Sequence, residues 1–218
     1  MAVITISRQY GSKGDEIARR VTDILGYRYF NKQLLAEVAS EVGLSPAELL
    51  DFSDEKYKVR SFLDRLRNRS RALSEIDSWS ESQLSEENHW MRDLNEEQCV
   101  TLTRMAIQAA YKHGNVVVVG RGGQVSLKDY PDVLHVRIEA TLGTRVMRVK
   151  SKQNISVGEA ERLTCARDRA SSAYLNRFYK IDWTNPLLYH LVINTSKWDI
   201  EAASRIIVNA VSNLGHST

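Results

Sequence analysis

Residues 3–16 of the chain read VITISRQYGSKGDE and combine a short strand, a polar loop and the start of a helix. The first four residues are all β-branched, which is typical of a buried strand. Apolar residues after the loop recur at helical spacing as far as Gly26, a glycine placed where helices commonly end. A loop between a strand and a helix N-terminus presents backbone N–H groups that can bind an anion. The stretch therefore predicts either a phosphate-binding loop or a tight glycine turn.

The loop differs from the standard phosphate loop, G-x-x-x-x-G-K-[ST], in which the Lys reaches the phosphates and the hydroxyl ligates Mg²⁺. Here Arg8 stands at the first Gly position and Gly14 at the Lys position, and the hydroxyl position falls within Asp15 and Glu16. Positive charge could come from Lys13, one position early, or from Arg8 across the loop. The two acids could supply a carboxylate to Mg²⁺ or stabilise the helix N-terminus through its dipole.

Four more short strands are predicted along the chain, and helical patterns separate them. The strand patterns cover 27–30, 115–120, 133–138 and 191–194. This alternation predicts an α/β fold with a five-stranded parallel sheet. Ligands of such sheets bind outside the carboxyl ends of the strands, so the residues after each strand are candidates for a site. Among them Arg121 lies between two glycines, either as a ligand-binding residue or as a solvated side chain at a turn.

Charge is distributed unevenly along the 218 residues, although 30 basic and 27 acidic side chains leave a net charge of only +3. That net charge does not indicate a nucleic-acid-binding protein. Residues 51–100 carry eight basic and twelve acidic side chains, whereas residues 141–180 carry nine and three. The basic segment is either a solvated helix face or an element whose arginines bind phosphate oxygens. A capping box at Ser156–Glu159 starts a helix within it.

The chain shows no pattern typical of a secreted or membrane protein. Its longest aliphatic run, Val116–Val119, is far shorter than the ~20 apolar residues of a membrane helix, and the N-terminus does not follow a signal-peptide pattern. The cysteines, Cys99 and Cys165, and the dispersed histidines lack metal-ligand spacing. His135 falls within a strand pattern and is favoured as a core residue. We therefore expect a cytoplasmic protein with reduced thiols, and we name no metal-ligating residue.

Three blocks of the sequence, residues 3–18, 25–31 and 116–122, resemble the cytidylate-kinase-like family of P-loop proteins. In this branch of the family the loop typically reads SRQYGSGG, which is close to SRQYGSKG at 7–14. The resemblance extends over nearly the whole chain. It implies a three-layer, P-loop NTPase-like α/β fold around the five-stranded parallel sheet.

The resemblance also implies how the chain is organised. We expect a single domain, 1–218, whose core comprises 1–50 and 95–218. This core would carry a helical insertion at about 51–98 and a basic lid at about 152–183. The acidic insertion could form a homodimer interface or a flap over the substrate.

The family takes its name from ATP:CMP phosphotransferases, so the resemblance implies phosphoryl transfer from ATP, with Mg²⁺, to CMP or dCMP. ATP binding is implied for the loop residues Gly11, Ser12, Lys13, Gly14, Asp15 and Glu16. Substrate binding is implied for Asn31, for Arg121 and for the lid arginines Arg167, Arg169 and Arg177. Lys13 or Arg8, together with Arg121, would act as catalytic residues by offsetting charge on the transferred group.

The same blocks depart from the family at residues that carry its chemistry. Gly14 stands at the Lys position, Asn31 replaces an Asp after the second strand, and 119–122 reads VGRG in place of DGRD. These departures leave open a second hypothesis, a catalytically degenerate module that binds a nucleotide or another phosphorylated ligand. A third and weaker hypothesis treats the aromatic and basic residues of 169–189 as a platform for single-stranded RNA. We favour the alternative that this segment packs onto the core. As the partner of the protein we expect a small nucleotide, and neither a membrane nor a nucleic acid.

Overall fold

The computed structural model describes residues 2–30 and 96–214. Asn31 and nearly all of the insertion expected at 51–98 lie outside these ranges. The strands are β1 (Val3–Arg8), β2 (Arg28–Phe30), β3 (Val116–Val119), β4 (Val133–Glu139) and β5 (Leu191–Asn194). The helices are α1 (Gly14–Leu25), α2 (Glu96–His113), α3 (Gly123–Ser126), α4 (Leu142–Gln153), α5 (Val157–Tyr179) and α6 (Ile200–Ser212).

The five strands form one sheet in the order β2-β3-β1-β4-β5, and every neighbouring pair is parallel. Strand β1 lies at the centre, where Ile6 is in register with Val119 of β3 and with Val136 of β4. The structure thus confirms the parallel α/β sheet expected from the alternation of strand and helix patterns. Strands β2 to β5 begin and end within one residue of the predicted limits, whereas β1 continues to Arg8, two residues beyond its β-branched run.

Helices cover both faces of the sheet, which makes the fold three layers thick. Along β1, Val3 packs into a cluster with α2, whereas Ile4 and Ile6 pack into a cluster with α1 and α6. This alternation is the period of two that a strand imposes on its side chains. The run Val116–Val119 is buried throughout, as expected of a parallel strand covered on both sides.

Helix α5 begins at the capping box that the sequence indicates. The Ser156 hydroxyl accepts from the Glu159 N–H at 3.3 Å, and the Glu159 carboxylate accepts from the Ser156 N–H at 3.0 Å. The Ser156 hydroxyl also donates to this carboxylate at 2.6 Å, and that hydrogen bond, followed by the one from the Ser156 N–H, holds the pKa of Glu159 below its usual value. The cap fixes where the basic helix starts.

Both ends of α5 pack onto the rest of the protein. Near its start Ala160 is fully buried against α4, and near its end Leu175 and Tyr179 are buried in a cluster with Trp183. These aromatic side chains contribute to the core, as favoured for this segment. The role of residues 152–183 as a lid stays a prediction.

A buried arginine of β4 secures the chain that follows α5. The Arg137 guanidinium donates to the Trp183 carbonyl oxygen at 2.8 Å and lies 4.7 Å from the centre of the Trp183 ring. Its Nε is 3.2 Å from a carboxylate oxygen of Glu139, which offsets the cost of burying the charge. The connection from α5 to β5 is therefore fixed against the carboxyl half of the sheet.

His135 of β4 is a core residue, as the strand pattern indicates. Its Nδ1 lies 2.7 Å from the Thr5 hydroxyl, and its ring stacks on that of His190 with centres 5.1 Å apart. Burial, with a smaller contribution from His190, lowers the pKa of His135 to about 4. The imidazole is therefore neutral in the folded protein at physiological pH.

Candidate active site

The candidate site lies at the carboxyl edge of the sheet, where the loops after β1 and β3 lie side by side. After β1 the chain crosses to β2, on the far side of β3, whereas after β3 it crosses to β4, on the other side of β1. The two connections leave in opposite directions, and the crevice between them is where parallel α/β sheets bind ligands. The loop Gln9–Lys13 and the turn Gly120–Gly122 form the two sides of this crevice.

The loop after β1 leads directly into the N-terminus of α1. Gly11 and Lys13 adopt the left-handed conformation, with φ of 76° and 65° respectively, and α1 begins at Gly14. Between them the Ser12 hydroxyl donates to the Gln9 carbonyl oxygen at 2.7 Å and closes the turn. The first N–H groups of a helix have no partner within it, so this turn presents a partial positive charge at the crevice.

The carbonyl oxygens of the loop are held from the opposite side, by α4 and the end of β5. Thr195 donates its hydroxyl to the Ser12 carbonyl oxygen at 2.8 Å, and Arg145 donates to that of Tyr10 at 3.1 Å. The Arg148 guanidinium in turn donates to the Thr195 carbonyl oxygen at 2.7 Å. Carbonyl oxygens that are bound elsewhere do not repel an anion, so these contacts favour a loop that binds phosphate.

An acid of α5 completes the support of the loop. Oδ1 of Asp168 accepts from the Tyr10 N–H at 3.0 Å, and Oδ2 accepts from the Arg145 guanidinium at 2.6 Å. The neighbouring Arg167 guanidinium lies 5.5 Å from the centre of the Tyr10 ring. Sequence reasoning missed Asp168; the only signal was a single acid between two arginines in the basic helix.

Arg8, the last residue of β1, projects into the crevice. Its Nε donates to Asp15 Oδ1 at 3.0 Å, and its guanidinium extends to the backbone of Gly120 in the opposite turn. The Arg8 side chain is 30% exposed, so its charge is accessible from the crevice. One of the two cations proposed for the loop thus lies between α1 and the β3–α3 turn.

Arg121 brings a second guanidinium to the same place. It lies within the turn at φ 55° and its guanidinium is 5.6 Å from the centre of the Phe30 ring. Burial, together with the charge of Arg8, lowers the pKa of Arg121 to about 10. The group remains cationic at neutral pH. Two cations held close together in a partly buried crevice favour the binding of an anion between them.

Tyrosine side chains from neighbouring elements border this crevice. The Tyr179 hydroxyl donates to the Arg121 carbonyl oxygen at 3.2 Å, and its ring leaves no space for a side chain on Gly122. Burial raises the pKa of Tyr29, and the charge of Asp15 raises it further. Sequence reasoning missed both tyrosines as part of the site, because their placement depends on how β2 and α5 pack.

The other candidate residues are distributed as follows. Asn31 lies outside the described residues. Arg169 and Arg177 lie on exposed surfaces of α5, where Arg169 donates to the Cys165 carbonyl oxygen at 3.2 Å and Arg177 lies 5.0 Å from the Phe178 ring centre. Of the three arginines expected in a lid, Arg167 is therefore the one placed beside the loop.

Two features are absent from residues 2–30 and 96–214. No three His, Cys, Asp or Glu side chains among these residues are grouped as metal ligands. Within the same ranges no helix has the length and apolar character needed to cross a membrane.

Comparisons with known proteins agree with this architecture. The model of the cytidylate kinase-like family matches residues 3–197. A cytidylate kinase of Pyrococcus horikoshii is 36% identical over 97% of this chain and 89% of its own length. A cytidylate kinase of Methanocaldococcus jannaschii is 29% identical over 73% of this chain and 87% of its own length. A crystal structure of an uncharacterised protein from Eubacterium ventriosum shares the fold, with a TM-score of 0.63 at 17% identity over 97% and 99% of the two chains. From its loop, its sheet and the extent of these matches, the chain belongs to the cytidylate kinase-like family.

Proposed function

We propose that this protein transfers the γ-phosphoryl group of ATP to a nucleoside monophosphate of the CMP or dCMP type. Membership of a kinase family supports phosphoryl transfer from a nucleotide in general. The observation that carries the proposal is the convergence of Arg8, Arg121 and the N-terminus of α1 on one crevice. Transfer between two phosphates needs concentrated positive charge and fixed positions for both reactants, more than it needs covalent chemistry from the protein.

The donor would lie with its phosphates on the loop after β1. Gly11, Lys13 and Gly14 would contribute backbone N–H groups, whereas the Ser12 N–H donates to the Gln9 carbonyl oxygen at 3.2 Å. The start of α1 adds the favourable end of its dipole. Mg²⁺ takes one or two carboxylates besides phosphate oxygens, and Asp15 supplies a carboxylate that is 36% exposed at this point. The residues present therefore fit ATP that carries the ion, which neutralises phosphate charge when bound.

The acceptor would lie toward the β3–α3 turn. Arg121 would bind its phosphate with the two parallel hydrogen bonds that a guanidinium can make. Arg167, beside Tyr10, would approach the transferred group from α5, and Asn31 stays a candidate for contact with the nucleoside. Water would be excluded once Arg169, Arg177 and the rest of residues 152–183 close over the reactants.

The reaction itself is a single displacement. An oxygen of the acceptor phosphate attacks the γ-phosphorus of ATP and forms a new P–O bond. The bond from that phosphorus to the bridging oxygen breaks, and its electron pair stays on the β-phosphate of the departing ADP. The products are ADP and a nucleoside diphosphate. Arg8 and Arg121 would stabilise negative charge as it spreads over the transferred group.

The test is ADP release from ATP and Mg²⁺ across a panel of nucleoside monophosphates, with the diphosphate product identified by chromatography. CMP and dCMP are expected to be converted fastest. Arg121→Ala should raise KM for the acceptor by about tenfold or more, because removing one charge-assisted contact costs about 1.5–3 kcal/mol. Arg205→Ala, on the exposed surface of α6, is the matched control.

Two outcomes decide against the proposal. Absence of turnover with every acceptor would refute it. Thermal stabilisation by ATP without any product would instead favour the degenerate binding module, since a ligand that binds only the folded state raises its stability.

A further inference from the structure

The loop after β1 shows an exchange of residues relative to the standard phosphate loop. The standard pattern begins with Gly and ends with Lys before the hydroxyl residue. In this chain the first position holds Arg8 and the Lys position holds Gly14. In the sequence these two residues stand six positions apart at opposite ends of the loop, and Arg8 is one of two candidates for the missing charge, beside Lys13.

The structure shows that the two positions share one space. A Cβ atom added to Gly14 would lie 2.7 Å from Cγ of Arg8 and closer still to its Cβ. Gly14 has no positive φ, so its backbone would accept any residue. Glycine is required here because the stem of Arg8 covers the position from which a lysine side chain would start.

The charged end of Arg8 extends further into the crevice. Its Nη1 lies 2.6 Å from where a Cβ of Gly120 would be, and its Nε is bound to Asp15. Both glycines that this side chain crosses thus lack the atom that would block its path. The Arg8 side chain passes over the start of α1 and ends between the phosphate-binding loop and the turn that carries Arg121.

We infer that Arg8 supplies, from the end of β1, the cation that the missing lysine supplies from the start of the helix in the standard loop. The inference rests on the proposed function and adds to it a choice between the two candidate cations. Arg8 is fixed in the crevice by Asp15, whereas Lys13 is the N-cap of α1, with a left-handed backbone suited to the second glycine of the standard pattern.

The exchange also changes the kind of cation at the site. A guanidinium presents several N–H donors in a plane and can bind two phosphate oxygens at once, whereas an ammonium acts as a point charge. Arg8 also carries its charge close enough to Arg121 to contribute to the lowered pKa of that group. One forked cation between donor and acceptor would therefore contact the phosphoryl group that is transferred.

Four variants test the exchange. Arg8→Met keeps most of the side-chain stem and removes the charge, whereas Arg8→Gly removes both. Gly14→Lys restores the standard lysine. The double variant Arg8→Gly/Gly14→Lys restores both standard residues. The measurements are ATP affinity with Mg²⁺ by calorimetry, kcat for formation of CDP, and Tm. Arg20→Ala, an exposed arginine of α1 paired with Glu201, is the control for loss of a cation outside the crevice.

We expect Arg8→Met to lower kcat by about 100-fold or more, as for other groups that stabilise the transition state, with Tm close to that of the parent protein. Gly14→Lys alone should lower both Tm and ATP affinity, because its Cβ meets the Arg8 stem. The double variant should have a kcat at least tenfold higher than that of Arg8→Gly or of Gly14→Lys alone. Such recovery requires that the two positions share one function.

Three results would overturn the inference. They are unchanged kcat and ATP affinity in Arg8→Met, a larger loss of kcat in a fifth variant, Lys13→Ala, than in Arg8→Met, or no recovery of kcat in a double variant that folds. Failure of the proposed function has a different signature. If the parent protein binds ATP but phosphorylates no acceptor, a weaker affinity in Arg8→Met would still support Arg8 as the phosphate-binding cation.

Discussion

Removal of the Asp168 carboxylate should weaken both the fold and the loop after β1. Asp168 connects α5 to this loop through the Tyr10 N–H and the Arg145 guanidinium. The Arg145 side chain is only 6% exposed and that of Asp168 is 19% exposed. The substitution Asp168→Ala therefore leaves a buried guanidinium without its counter-ion and a backbone N–H without its acceptor.

The size of the effect follows from these contacts. Removing one partner of a buried ion pair costs about 3–5 kcal/mol. Arg145 keeps its hydrogen bonds to the Ala140 and Tyr10 carbonyl oxygens, and Asp168 is not fully buried, so we expect about 2–3 kcal/mol for the alanine variant. Asp168→Asn retains an oxygen that can accept from the Tyr10 N–H and should cost about 1 kcal/mol.

Urea unfolding of the two variants and the parent protein measures these differences. The control is Glu161→Ala, an exposed acid on the same helix, which should change the free energy of unfolding by less than about 0.5 kcal/mol. ATP affinity, measured in parallel, should fall in the alanine variant because the Tyr10 segment of the loop loses a fixed contact. If Asp168→Ala and Glu161→Ala unfold at the same urea concentration, the proposed support of the loop by α5 is wrong.

Two further predictions concern the turn after β3 and the core of β4. Gly122→Ala should lower the free energy of unfolding by about 2 kcal/mol or more, because φ is 71° and the new Cβ would lie 2.6 Å from the Tyr179 ring. Gly143→Ala, at a helical position with open space around it, should leave stability unchanged or raise it, and equal effects in urea unfolding would contradict this reasoning. Because the pKa of His135 is about 4 when folded and about 6.5 when unfolded, the unfolded state binds the additional proton below pH 6.5. The free energy of unfolding should thus fall by about 2 kcal/mol between pH 7 and pH 5, and an equal fall in His135→Gln would show that another group is responsible.

Sequence patterns were enough to predict the strands and helix starts that are specified by neighbouring residues. The β-branched run at 3–6, the continuous valines of β3 and the capping box at Ser156 each specify a strand or a helix start through neighbouring residues. The parallel sheet then follows, because five strands separated by helices have few other arrangements. The short helix α3 was not predicted, since four residues are too few to show a helical period.

The support of the site could not be read in this way, because its contacts join residues far apart in the chain. Tyr10 and Asp168 are 158 positions apart, and Ser12 and Thr195 are 183 apart. In the sequence Arg145 is one of several basic residues on a helix, consistent with a solvated face. In the structure it is buried and binds three oxygens around the loop. Charge patterning thus located the basic element but did not reveal which of its residues hold the loop and which face solvent.

The departures from the standard loop also show what a sequence motif leaves out. Here the motif suggests a loss, and the structure shows another residue at the same position. Read along the sequence, Gly14 is a lost lysine and indicates a degenerate kinase. Read in space, the stem of Arg8 occupies that position, and its guanidinium ends between α1 and the turn of Arg121. Electrostatic stabilisation depends on where a charge lies relative to the reacting atoms, and not on which residue of a motif carries it. A loop that lacks its lysine is therefore evidence of lost activity only if no other cation reaches the same place, and here the end of the preceding strand carries Arg8 across that position.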